Sequence, residues 1–160
     1  MASKVPALID WLVAAFTTSP ALGQAVPPVA VYDGPVVTAA DDKLILWVGV
    51  QDPDSDGAAE AAVFEQARSD LGQATRDETS IIRCAAEAWP GTDDVRTARV
   101  AAFAISAAAE NIIRADTTKF GGNAALAAPG VTGGVLLQNN VQGSGAVARV
   151  TFDVIFRSFT

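Results

Sequence analysis

The segment 146–158 constrains the fold most, because it alternates without a break. Val150, Phe152, Val154 and Phe156 share one parity, and Arg149, Thr151, Asp153 and Arg157 share the other. Successive side chains of a strand point to opposite faces, so this reads as an antiparallel strand with one buried and one polar face. Four large apolar side chains on one face need an apolar layer to cover them, and two segments of helical period supply it. In 4–17, Val5, Leu8, Ile9, Leu12, Val13 and Phe16 fall on one stripe, with Ser3 placed to cap and Pro6 tolerated in the first turn. In 93–115 the stripe is Val95, Ala98, Ala102, Ile105, Ala109 and Ile112, with Thr92 the expected cap. Asp93 and Asp94 are expected in the first turn, where the helix dipole favours negative charge, and Glu110 and Arg114 form an i,i+4 pair.

The remaining segments fill out a sheet. Residues 43–50 predict a strand with Leu44, Leu46, Val48 and Val50 on one face and Ile45 and Trp47 on the other, covered on both sides. Short and long strands are expected at 29–32 and 78–89, and another at 131–139. A weak helix is expected over 58–71. Turn residues make 18–28 and 51–60 loops or arms, and 116–134 is a Gly/Ala-rich stretch. The order α-β-β-(α)-β-α-β-β predicts one α+β domain over 1–160, a mostly antiparallel sheet with two main helices on one face. Trp11 lies off its helix's stripe, so it packs elsewhere on the chain or faces a partner.

Several functional classes are disfavoured. Eleven basic and 18 acidic residues leave a net charge of −7, and no Lys/Arg cluster exists to neutralise phosphates or anionic lipid. With no histidine in the chain, His-based acid–base chemistry, Ser-His-Asp triads and His metal sites are excluded. The single cysteine, Cys84, forbids an internal disulfide; it alternates with Ile82 and Ala86 and is read as buried structure. Asp10 interrupts the first apolar run, so a signal peptide is not expected. No apolar run reaches the roughly 20 residues a membrane-spanning helix needs.

Two local motifs invite chemistry. Asp52-Pro53-Asp54-Ser55-Asp56-Gly57 matches the opening of an EF-hand calcium loop, but Val63 occupies the position of its bidentate Glu. The expectation is an acidic surface turn without a metal. Gly143-Ser144-Gly145-Ala146-Val147-Ala148 resembles a dinucleotide fingerprint, but a strand follows where a helix is needed. No catalytic residue, metal or cofactor is therefore expected, and the chain reads as a structural protein rather than an enzyme. Its charge content of 18% is below the usual quarter, which suits a surface covered by neighbours.

The order of motifs adds a resemblance. An amphipathic opening helix precedes Ile81-Ile82-Arg83-Cys84. A Gly-Thr-Asp-Asp turn leads into Val95-Arg96-Thr97-Ala98-Arg99, and the helix runs to Ile112-Ile113-Arg114-Ala115-Asp116, followed by Phe120-Gly121-Gly122. The closing strand is Gly145-Ala146-Val147-Ala148-Arg149-Val150-Thr151-Phe152. From about 4 to 158 the chain resembles the lambda-type siphophage tail-terminator family of minor tail proteins, with 51–75 the least typical part. The resemblance implies a virion protein at the head–tail junction, made in the host cytoplasm. Six copies would form a ring that ends tail-tube polymerisation, meeting the tail tube protein and the head–tail connector or stopper protein. DNA would pass through the channel without specific binding, and no membrane or cofactor would be involved. Another neck protein, or a calcium-dependent binding module using 52–57, are the alternatives. The subunit-interface candidates are Trp11, Arg96, Arg99, Arg149, Asp153 and Arg157, and the candidate tube, neck or channel loop carries Asp52, Asp54 and Asp56.

Overall fold

A computed structural model describes residues 2–35, 42–53, 59–68, 76–124, 131–141 and 145–159. The alternating final segment becomes the 15-residue strand β6 (Gly145–Phe159), and it is the spine of the sheet. On one side β6 pairs with the 13-residue β4 (Arg76–Ala88), antiparallel, with Ile82 opposite Val154, Cys84 opposite Phe152 and Ala86 opposite Val150. On the other side it pairs antiparallel with β5 (Val131–Val141). Beyond β4 lie two strands end to end. The second half of β4 pairs antiparallel with β2 (Leu44–Val48), and its first half with β3 (Ala62–Arg68). The strand β1 (Val29–Asp33) adds to β2 in parallel, the one parallel pairing among those described. The order is β1-β2-β4-β6-β5, with β3 beside β4, an α+β arrangement.

Both long helices cover the same face. Leu8, Leu12 and Phe16 of α1 (Val5–Thr18) and Ile105, Ala109 and Ile113 of α3 (Val95–Ala115) share one buried cluster with Leu46, Val48, Ile82, Cys84, Phe152, Val154 and Phe156. Val150 meets Ala98 and Ala102 in an adjoining cluster. The alanines of α3 let its backbone approach the sheet, as their spacing predicts. The N-cap of α1 is Lys4 rather than the expected Ser3, and its own side chain makes no cap; Ser3 Oγ, one residue earlier, accepts a hydrogen bond from the Val5 amide at 3.1 Å. A second anchor of α1 has no signal in the sequence: the buried Glu78, 74 residues away, accepts the Lys4 amide proton at 2.9 Å and a proton from Gln66 Nε2 at 2.6 Å. A carboxylate there satisfies one of the orphan donors of the helix start and suits its dipole.

Five local expectations are corrected. The weak helix over 58–71 is the strand β3 within 62–68, with 69–71 outside the described residues. Its alanines suggest a helix, but Val63 and Phe64 suit a strand, and seven register pairs with β4 supply the hydrogen bonds a short helix would otherwise need. Val50 does not share the face of Leu46 and Val48. Gly49 takes φ +75°, and both its amide and that of Val50 donate to Arg83 O, at 2.8 and 3.2 Å. This irregularity turns Val50 to the opposite face, where it is buried with Ile45, Trp47 and Ala85. The 18–28 segment is no free arm: Ser19 caps a short helix, α2 (Pro20–Gly23), and Leu22 is buried in the core. The cap of α3 is Asp94, whose carboxylate accepts from the Arg96 amide at 3.0 Å, rather than Thr92. Asp93 and Asp94 consequently precede the helix instead of occupying its first turn. Within 116–134, residues 119–122 form a left-handed turn (α4, Lys119–Gly122), with φ between +56° and +81° at four successive residues.

Candidate assembly surface

The left-handed turn explains Trp11. Two non-glycine residues with positive φ, Lys119 and Phe120, are costly by about 1–2 kcal/mol each. Glycines at 121 and 122 meet the same demand without a Cβ penalty. Asp116 holds the turn by accepting protons from the amides of Thr118 and Phe120, at 3.1 and 2.8 Å, and from the Thr118 hydroxyl. Desolvation pushes the Asp116 carboxyl up, but those hydrogen bonds together hold it below the ordinary carboxylate value. The turn drives Phe120 into the core, edge-on to Trp11 at 4.8 Å and to Phe156 at 5.0 Å. Trp11 thus packs on its own chain and is withdrawn as a partner-facing residue.

The polar face of β6 is also largely self-satisfied. Register places Arg149 directly opposite Glu87 and Asp153 directly opposite Arg83. Arg149 Nε and Nη2 both donate to Glu87 Oε2, at 2.8 and 2.5 Å, its Nη1 lies 3.6 Å from Asp52, and its guanidinium sits over the Trp47 ring. Arg83 bridges Asp153 and Glu60, the latter at 2.9 Å. Arg149 and Asp153 are therefore corrected from intersubunit candidates to internal ion pairs. Parity in the sequence reveals a polar face, but only the register shows that opposite charges meet across it. Asp52 is exposed beside Arg149, and Asp54 and Asp56 lie outside the described residues.

Three candidates remain outward-facing. Arg96, Arg99 and Arg157 are exposed, and no carboxylate among the described residues lies within ion-pair distance of any of them. Arg96 lines a shallow groove on α3 with Asp94, Thr97, Val100, Ala101 and Ala104. The i,i+4 pair of Glu110 and Arg114 forms as expected.

The residues that sequence reasoning misses lie along the outer margin of the sheet. β5 has no neighbour on its far side among the described residues, and its sequence, Val-Thr-Gly-Gly-Val-Leu-Leu-Gln-Asn-Asn-Val, contains no charge and no proline. Val135 and Leu137 are 56% and 50% exposed on the face away from the helices. On the helix side, Leu136 packs partly against the Ala98–Ala102 cluster. Phe103, 49% exposed, lines a groove with Ser106, Gly134 and Leu136, and Val100, 61% exposed, lies one turn away. Edge strands are normally blunted by charges, prolines, bulges or short length; β5 is 11 residues long with no charge and no proline, and its one irregularity is a register shift between Thr132 and Gly134 near its start. An uncharged stretch centred on Val135-Leu136-Leu137 is the available signal in the sequence.

Burial pushes the Cys84 thiol up to about 12, against a Gly49 backbone hydrogen bond that lowers it, so the thiol stays protonated and inert. Among the described residues no three metal-ligating side chains converge, and no helix is long and apolar enough to cross a membrane. Comparison with protein-family models and with curated proteins found no match.

Proposed function

We propose that this chain is a structural virion subunit of tail-terminator type. Six copies form a ring that ends tail-tube growth and presents a surface to the neck proteins, with DNA passing through its channel. The observation that carries the reading is the uncharged, proline-free β5 edge: 11 residues with exposed apolar side chains, beside an exposed Val100 and Phe103 on α3. Such an edge is an aggregation hazard on a solitary subunit and an asset on one that is always covered. The net charge of −7 agrees with a channel that repels phosphates and so lets DNA slide. The motif order that resembles the tail-terminator family names the kind of assembly.

The test has two parts. Arg99→Glu reverses an exposed cation beside the Val100–Phe103 patch. The monomer is expected to keep its stability to within about 0.5 kcal/mol, while sedimentation shows the ring weakened. Phage lacking the protein are expected to produce tails of abnormal length, seen by electron microscopy. Normal tails in its absence, or a location in the virion away from the head–tail junction, would sink the reading.

A further inference from the structure

Resting on that assembly reading, we infer that the β5 edge of one copy is completed by the β3 edge of the next, antiparallel, so that the sheet runs on from subunit to subunit. Two observations carry this, beginning with topology. β5 opposes β6, β6 opposes β4 and β4 opposes β3, so β3 runs opposite to β5. A neighbour that keeps the same orientation therefore offers β3 in antiparallel sense, with its helix-covered face continuing that of the first copy. Because β3 and β5 sit near opposite ends of the spine strand, each copy is also displaced along the strands, the stagger that strand tilt accommodates in closed sheets.

The second observation is matching apolarity. β3 lies at a margin of the sheet and exposes one large apolar side chain on each face, Phe64 toward the helix side and Val63 away from it. The β5 margin does the same with Leu136 and Phe103 on the helix side and Val135 and Leu137 on the other. β1 is the poorer mate: it is five residues long, exposes no large apolar side chain and carries Asp33.

Single-cysteine variants test the pairing, because Cys84 is buried and does not compete. Val135→Cys and Leu137→Cys mark the face of β5 away from the helices; Val63→Cys and Glu65→Cys mark the same face of β3. Facing residues of adjacent strands fall within disulfide range. Under mild oxidation, mixing a β5 variant with a β3 variant is expected to give covalent dimers that neither gives alone, and Val135→Cys/Val63→Cys in one chain is expected to give ladders. Circular dichroism checks that each variant is folded. Dimers from β5 variants alone would overturn the inference in favour of two-fold β5 pairing. Oligomers in sedimentation without any cross-link would overturn it while leaving the assembly reading intact. A chain that stays monomeric throughout overturns both.

Discussion

The two ends of the five-strand path present opposite solutions to one problem. β1 closes its end with five residues, follows Pro27 and Pro28, ends in Asp33 just before Gly34-Pro35, and is roofed by α1 and α2, with Val29 buried against their apolar residues. β5 closes the other end with 11 residues, no charge and no proline, under a helix that leaves Phe103 half in solvent. Short length, prolines and charge are among the devices by which an edge is made final. Their presence at β1 and absence at β5 set a guarded edge against an open one, and the proposed assembly assigns a second strand to the open one.

Mutations that contrast the two ends test this difference. The largest effect is expected at the β1 end, where Phe16 is buried beneath α1 with Leu22 and Val29. Phe16→Ala is expected to cost about 3–5 kcal/mol in denaturant unfolding, with oligomer size unchanged in the molecules that remain folded. A smaller loss there would mean that the β1 end is as loosely closed as β5.

Next comes the ion pair beneath the β5 side. Arg149→Ala leaves the largely buried Glu87 carboxylate without its cation, an expected cost of about 3 kcal/mol. If Arg149 served a neighbour instead, the isolated subunit would lose almost nothing and only assembly would suffer.

Asp116 controls the turn that precedes β5. Asp116→Asn is expected to cost about 1 kcal/mol at neutral pH. Because the folded-state value of Asp116 is depressed, its contribution is present above the unfolded-state value of about 3.9 and is lost as pH falls through the folded value. The stability curves of wild type and variant should converge in that acid window. Convergence at higher pH would show that Asp116 is not what holds the turn.

The smallest effect on stability is expected from Phe103→Ala, within about 0.5–1 kcal/mol because the ring is half exposed. The contrast with Phe16 is the informative part: the same truncation, at a site that in the proposed assembly faces a neighbour, is expected to weaken the oligomer in sedimentation and hardly touch the monomer.

Much of this architecture is legible in the amino-acid sequence. The parity of Val150, Phe152, Val154 and Phe156 and the stripes of α1 and α3 specify a sheet with both helices on one face, because burial imposes periods of 2 and 3.6 directly on the chain. What escapes depends on partners distant in the chain. Arg149 and Asp153 look like free surface charges until register sets Glu87 and Arg83 opposite them. The alanines before Val63 hide a strand that exists because β4 offers its edge. Val50 changes face through the positive φ of Gly49 alone, a single dihedral that no periodicity reports. The exposed apolar residues Val100, Phe103, Val135 and Leu137 are easily overlooked because apolar residues read as core until the structure shows them on the surface.

The most direct test is amide hydrogen exchange on the two end strands as protein concentration is raised from the dilute monomer to the assembled state. The expected result is that β5 and β3 amides pass from fast exchange to strong protection while those of β1 do not change. Protection of β5 already complete in the dilute monomer, or a gain in protection confined to β1, would contradict the claim that β5 is the edge built to be covered.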